Sequence, residues 1–341
     1  IRVKEESPNA ILSQFINAFN ELKLDKKLYV LIDEYDNFTN AILEGEAKDF
    51  KEVVGNNGFI KAFYAVLKQN CQEGVVDRVF MTGICPITLN AMTTGFNIST
   101  DITLDLRFNA MIGLTHDEVR NLISDIEESD KEKIYNLMIE HYDGYLFNEE
   151  LGDKDRTFNA TLVMYLLNYY NRFKNIPKDL LDTNIFGNNK KLDNILRLQH
   201  NKYYDSVLND IMDNKEIIEE LKKEFNLESN FNREDIVSLL FYFGYLTIDR
   251  YTNSGKIVFK IPNNVMHKSY ARYYEDYLSS NNILIDEMQL EEAIDEIVDG
   301  LKINKLTKCV EDELELLDNR MFKNFDDKYV QLIYYMLMSR A

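Results

Sequence analysis

The run Leu28-Tyr29-Val30-Leu31-Ile32 feeds straight into Asp33-Glu34-Tyr35-Asp36. An unbroken apolar run of this kind predicts a strand buried on both faces of a parallel sheet. Open α/β sheets bind ligands outside the carboxyl ends of their strands, so Asp33 and Glu34 stand where a ligand would bind. An Asp-Glu pair there is the arrangement of a Walker B segment. Asp33 would hold Mg²⁺, directly or through water, and Glu34 would polarise an attacking water. The same residues also describe a buried strand that simply exits into an acidic loop.

A second strand signal follows at Val79-Phe80-Met81-Thr82-Gly83. Between the two, Phe59 to Lys68 carries apolar residues three and four apart and predicts a helix. Strand, helix and strand form a right-handed crossover by default. That crossover makes the strands parallel neighbours and places Thr82 beside Asp33 and Glu34. In ATPases of the additional-strand type a polar residue there senses the γ-phosphate; a threonine that merely ends a strand is the plainer alternative.

An ordered series of short motifs accompanies these strands: Ile32-Asp33-Glu34-Tyr35-Asp36, Arg78-Val79-Phe80-Met81-Thr82-Gly83-Ile84, Cys85-Pro86-Ile87-Thr88-Leu89, Thr94-Gly95-Phe96-Asn97-Ile98, Asp101-Ile102-Thr103 and Gly113-Leu114-Thr115. Tyr142-Asp143-Gly144-Tyr145-Leu146-Phe147, Phe243-Gly244-Tyr245-Leu246-Thr247-Ile248 and Ile261-Pro262-Asn263-Asn264 continue it. The series resembles the AAA-ATPase-like family of P-loop NTPases, whose members often carry a C-terminal nuclease domain of the PD-(D/E)XK type. The resemblance implies ATP and Mg²⁺ as cofactors, Asp33 as metal ligand, Glu34 as the catalytic residue that polarises the attacking water and Thr82 as sensor. Arg107, in Leu104-Asp105-Leu106-Arg107-Phe108, is the candidate for an arginine facing the phosphates. Its alternative is a salt bridge with Asp101 or Asp105. Asp36 has the weaker claim, either orienting Glu34 or joining a structural network.

Two departures stand out. No G-x-x-x-x-G-K-[ST] phosphate loop occurs; Gly55 and Gly58 precede Lys61 at the wrong spacing. Leu146 also stands where the family usually has arginine. The segment before Leu28 reads as one helix, with Ser7 as cap, Pro8 at its first position and Ile11, Phe15, Phe19 and Leu22 on one face. At the other end, Phe325 to Leu337 reads as a helix resembling the first of the nuclease domain. The chain therefore reads as lacking both the phosphate-loop part and the nuclease's catalytic part.

The chain has 341 residues and a net charge of -19. Its length allows two or three domains. The charge argues against general nucleic-acid binding. Much of the acid, as in Asp286 to Asp299 and Glu311 to Asp318, fits solvated helix faces. The apolar runs are far too short for a membrane span. Cys71, Cys85 and Cys309 are widely spaced, as are His116, His141, His200 and His267. This fits free thiols in a reducing compartment and histidines at surface or capping positions, without a zinc site. A cytoplasmic location follows as the expectation.

Beyond residue 113 the pattern turns helical. Thr115-His116-Asp117-Glu118 is a capping box ahead of Val119, Leu122, Ile123 and Ile126. Ile134, Leu137, Met138 and His141 form a second helical face, and Phe158 to Phe173 a third helix. Thr183 to Lys190 is the least regular stretch. Asn232 to Phe243 then predicts a helix closed by Gly244. Tyr245 to Tyr251 and Lys256 to Ile261 form a hairpin around Asn253-Ser254-Gly255. Helix and hairpin together make a winged-helix layout, whose acidic helix argues for packing rather than for reading DNA.

The expected fold is α/β followed by mainly α. An AAA-like parallel-sheet core occupies 1–114, a helical lid 115–225, a winged-helix module 226–275, and a helical approach to a nuclease-like domain 276–341. The expected function is ATP binding and hydrolysis coupled to a nuclease or a partner, with this chain alone inactive. A non-enzymatic scaffold that binds a protein partner is the competing class, and a nuclease with a positioning ATPase-like half is a third.

Overall fold

The computed structural model describes residues 7–36, 59–86, 98–181, 195, 206–207, 210–211, 215–225, 231–280, 287–300 and 302–316. The expected helix at Phe325 to Leu337, the irregular stretch at Thr183 to Lys190 and the motifs within 87–97 lie outside them. The chain forms two compact units. The first comprises Ile1–Thr103, Asn194–Lys202 and Glu220–Phe243, and the second Leu104–Asp193, Tyr203–Glu219 and Gly244–Ala341.

In the first unit, α1 (Pro8–Glu21) precedes β1 (Leu28–Ile32), α2 (Phe59–Gln72) and β2 (Val76–Met81). Pro8 occupies the first turn of α1, where a missing N–H leaves no bond unmade, but the Ser7 side chain makes no capping hydrogen bond. The expected face of α1 also differs. Ile16 is buried and Leu12 packs towards α2, whereas Ile11, Phe15 and Leu22 are exposed. The helix turns its Leu12 and Ile16 side to its neighbour, a stripe one residue round from the predicted one.

β1 and β2 pair in parallel, with Val30 opposite Val79, Leu31 opposite Phe80 and Ile32 opposite Met81. Gly74, at φ +77°, turns the end of α2 into β2. Val30, Ile32, Val79 and Met81 lie on one face and pack with Tyr35 and Phe63 around Tyr64 and Leu67. Burying side chains such as Leu67 stabilises this layer by about 1.5–3 kcal/mol each. Burial and nearby Asp36 push the Tyr64 phenol up to about 12.

Burial of β1 on both faces is not what the structure has. Tyr29 is 66% and Leu31 78% exposed. Alternate residues of a strand point to opposite faces, and only the Val30–Ile32 face meets a helix layer among the described residues. A continuous apolar run specifies a strand but not the number of layers that cover it.

Also in this unit, α6 (Arg233–Tyr242) begins with a reciprocal cap between Asn232 and Asp235. Its Tyr242 hydroxyl donates to the Lys222 carbonyl, and Glu234 pairs with Lys222 at 2.7 Å.

In the second unit, α3 (His116–Leu122) starts with the predicted capping box. The Glu118 carboxylate accepts from the Thr115 N–H at 2.8 Å, and the Thr115 hydroxyl accepts from the Glu118 N–H. α4 (Glu128–Tyr142) buries Ile134, Tyr135 and Met138, and α5 (Ala160–Phe173) is capped by Asn159. A three-stranded antiparallel sheet has the order β3-β5-β4, from β3 (Glu216–Glu219), β4 (Thr247–Tyr251) and β5 (Ile257–Lys260). The predicted hairpin is β4 and β5; β3 was not foreseen. Helices α7 (Asn264–Ser280), α8 (Glu287–Gly300) and α9 (Asn304–Leu316) follow. No helix among the described residues is long and apolar enough to cross a membrane.

Candidate functional site at the carboxyl edge of the parallel strands

β1 and β2 end side by side, and the residues just beyond them are joined. The Thr82 N–H donates to the Ile32 carbonyl and the Tyr35 N–H to the Thr82 carbonyl, both at 2.9 Å. The parallel ladder thereby continues past the strands. The Thr82 hydroxyl donates to Asp33 Oδ1 at 2.5 Å, and the Glu34 N–H donates to the same oxygen at 3.0 Å. Asp33 and Glu34 are exposed and Thr82 is half-buried, so the pair faces outward from the sheet edge.

Glu34 adopts φ +50°. In that left-handed region a side chain is strained by about 1–2 kcal/mol. Beyond this turn Tyr35 and Asp36 lie beside Thr82 to Cys85. The Asp36 carboxylate, only 4% exposed, accepts from the Ile84 and Cys85 N–H groups, the latter at 2.6 Å. The Tyr35 hydroxyl donates to the Cys85 carbonyl at 3.2 Å. Burial, then the Asp36 charge, raise the Tyr35 phenol well above its ordinary range.

The chemistry of these donors fits Mg²⁺. They are hard oxygens, a carboxylate and a hydroxyl, with the Glu34 carboxylate next in sequence. Among the described residues no group of three or more His, Cys, Asp or Glu could hold a metal ion unaided. Mg²⁺ suits such a sparse set, because it keeps several waters and takes one or two carboxylates together with substrate phosphates.

Arg107 belongs to the second unit and is paired there. Its guanidinium makes a forked contact with Asp105, at 3.0 Å from Nε and 2.5 Å from Nη2. The side-chain and main-chain hydrogen bonds from Arg107 hold the Asp105 carboxyl down at about 2.

The second unit contains a polar cluster that sequence reasoning missed. His116 approaches the Tyr135 hydroxyl through Nδ1 at 2.9 Å and Asp143 through Nε2 at 3.4 Å, and its ring packs edge-on against Phe158. His116, half-buried at the start of α3, thus joins a partly buried network, which its expected surface or capping position did not include. Burial raises the Asp143 carboxyl, and its Oδ1 is buried with no hydrogen-bond partner among the described residues. Arg156, 7% exposed, donates to the carbonyls of Gly144 and Ile248 and pairs with Asp153 and Asp249. Leu146 is fully buried, and its N–H donates to the Thr247 hydroxyl. No spacing in the sequence marks His116 and Asp143 as partners; they stand 27 positions apart.

Comparison with known proteins gives a family match within the first unit. Residues 1–93 match the AAA-ATPase-like family model, described as a predicted AAA-ATPase. The matched segment contains β1, β2, Asp33, Glu34 and Thr82. No curated protein and no solved structure matches the chain.

Proposed function

We propose that the edge formed by Asp33, Glu34 and Thr82 is the metal- and water-handling part of an ATP site. Asp33 and Thr82 would hold Mg²⁺, Asp33 as its carboxylate ligand. When bound, Mg²⁺ would neutralise charge on the β- and γ-phosphates. The Thr82 hydroxyl keeps the Asp33 carboxylate in one orientation and is placed to register a phosphate. Glu34 is the residue to orient a water. Its left-handed backbone sets its side chain apart from Asp33, so the two acids need not share one task.

The observation that carries this reading is the Thr82–Asp33 hydrogen bond at the carboxyl edge of two parallel strands. Its test is binding of Mn²⁺ in the presence of ATP to the full chain, followed by electron paramagnetic resonance. Wild type is expected to immobilise Mn²⁺, and Asp33→Asn to abolish the signal. An unchanged signal in Asp33→Asn refutes the assignment.

The open Tyr29–Leu31 face favours a second reading, in which the same core serves as a scaffold for a protein partner. Coupling to a nuclease is implied by the family resemblance alone. Wild type that binds no Mn²⁺ with ATP favours the scaffold.

A further inference from the structure

The Asp36 carboxylate is buried beside the proposed metal edge without facing it. Removing a carboxylate from water is costly unless strong donors replace the solvent. Here successive main-chain amides do so. Ile84 N–H lies 3.1 Å from both oxygens, and Cys85 N–H lies 2.6 Å from Oδ2. Bonds from amides to a charged acceptor are stronger than neutral ones, and consecutive N–H groups form a small anion nest.

These amides belong to the loop after β2, and Asp36 to the loop after β1. Tyr35 adds two ties between the same loops, from its N–H to the Thr82 carbonyl and from its hydroxyl to the Cys85 carbonyl. The approach is so close that a Cβ at Gly83 would lie 2.5 Å from both Asp36 Oδ1 and the Tyr35 ring. Thr82 is therefore held on either side, by the β1 ladder before it and by the Asp36 contacts after it.

We propose that Asp36 is a positioning residue: through the Ile84 and Cys85 amides it holds the Thr82 hydroxyl on Asp33, and so sets the affinity of this edge for a divalent cation with nucleotide. The proposal rests on the metal-site reading above. Asp36 acts through Thr82 and touches neither metal nor phosphate. Asparagine at this position would offer one carbonyl oxygen and place an NH₂ against a second donor.

The test is a double-mutant cycle on the full chain, with Mn²⁺ affinity in the presence of ATP and amide exchange as readouts. Asp36→Asn is expected to weaken Mn²⁺ binding about tenfold and to speed exchange at Ile84 and Cys85. Thr82→Val is expected to weaken binding by a similar factor. In the Thr82→Val background, Asp36→Asn should add less than about twofold, because both changes break one arrangement. Losses that multiply in the double variant overturn the proposal. So does Asp36→Asn with wild-type Mn²⁺ affinity and freely exchanging amides, which leaves the metal site standing. Asp33→Asn that binds as wild type removes the metal-site reading and the positioning role with it. If Asp36→Asn does not fold, Tyr35→Phe replaces it. That change removes only the phenol bond and should weaken binding about threefold, again with no added effect beside Thr82→Val.

Discussion

The Thr82 hydroxyl donates to the Asp33 carboxylate across a sequence separation of 49 residues. The contact exists because β1 and β2 are parallel neighbours that end in register, with Ile32 opposite Met81. An antiparallel pairing would bring the end of one strand to the start of the other and separate these two side chains.

On the proposed reading that contact would supply only part of an ATP site, and the expected activity is limited accordingly. The sequence contains no G-x-x-x-x-G-K-[ST] stretch to cradle the β- and γ-phosphates. Positioning and charge stabilisation fail together without such a cradle. ATP turnover by this chain should therefore equal background, and Glu34→Gln should leave it unchanged. Steady-state phosphate release checks this. Turnover that vanishes in Glu34→Gln would reveal a phosphate site elsewhere in the chain.

The left-handed backbone at Glu34 gives a separate stability signature. At φ +50° a Cβ is strained, and glycine is free of that strain. Glu34→Gly should exceed Glu34→Ala in stability by about 1 kcal/mol, although glycine loses more entropy on folding. Urea titration of both variants measures the difference. Equal stabilities would mean that the turn relaxes out of the left-handed region.

The strand-edge site was legible because its parts are local. An apolar run ending in Asp-Glu, a helical spacing and a second short run suffice to place Asp33 and Thr82 together. Exposure was not legible. The apolarity of Tyr29 and Leu31 says nothing about whether a layer covers them, and both are open. β3 escaped notice because Glu216-Ile217-Ile218-Glu219 is short and ends in charge, and only pairing with β5 makes it a strand. The His116–Asp143 contact joins a helix start to a helix end, a relationship set by tertiary packing and by no period in the chain.

Gly144 of the Tyr142-Asp143-Gly144-Tyr145 motif has a steric requirement that can be tested directly. It sits at φ +108°, and a Cβ there would lie 2.2 Å from the Pro262 carbonyl oxygen. That oxygen is main chain and not the loose end of a side chain. Gly144→Ala should destabilise the protein by about 3 kcal/mol or more, combining backbone strain with overpacking. A loss below about 1 kcal/mol in chemical denaturation would show that Pro262 moves aside easily.

Arg156 should be as sensitive for an electrostatic reason. Its guanidinium is buried and satisfies the carbonyls of Gly144 and Ile248 together with Asp153 and Asp249. Arg156→Ala would leave those carbonyls without their buried donor and take from Asp249 one of its three cations, Lys260 and Arg250 remaining. The expected loss is about 3–5 kcal/mol by denaturant unfolding, near the value for breaking buried ion pairs. Arg156→Lys should recover only part of it, since an ammonium cannot reproduce the planar fork. Full rescue by lysine would show that charge alone matters at this site.

The β3-β5-β4 sheet carries the hairpin expected of a wing, and its cations are committed within the sheet. Arg250 makes a forked contact with Glu216 and also meets Asp249; Lys260 pairs with Asp249, and Lys256 with Glu219 at 3.7 Å. A phosphate backbone would have to displace these carboxylates before gaining the same contacts. The chain's net charge of -19 opposes its approach as well. Duplex DNA should therefore bind weakly, and whatever binding appears at low salt should collapse as salt rises. Fluorescence anisotropy with a labelled duplex across a salt series is the measurement. Tight binding at physiological salt that is lost in Lys256→Ala or Arg250→Ala would mean that the hairpin exchanges its internal partners for phosphates and acts as a nucleic-acid-binding wing.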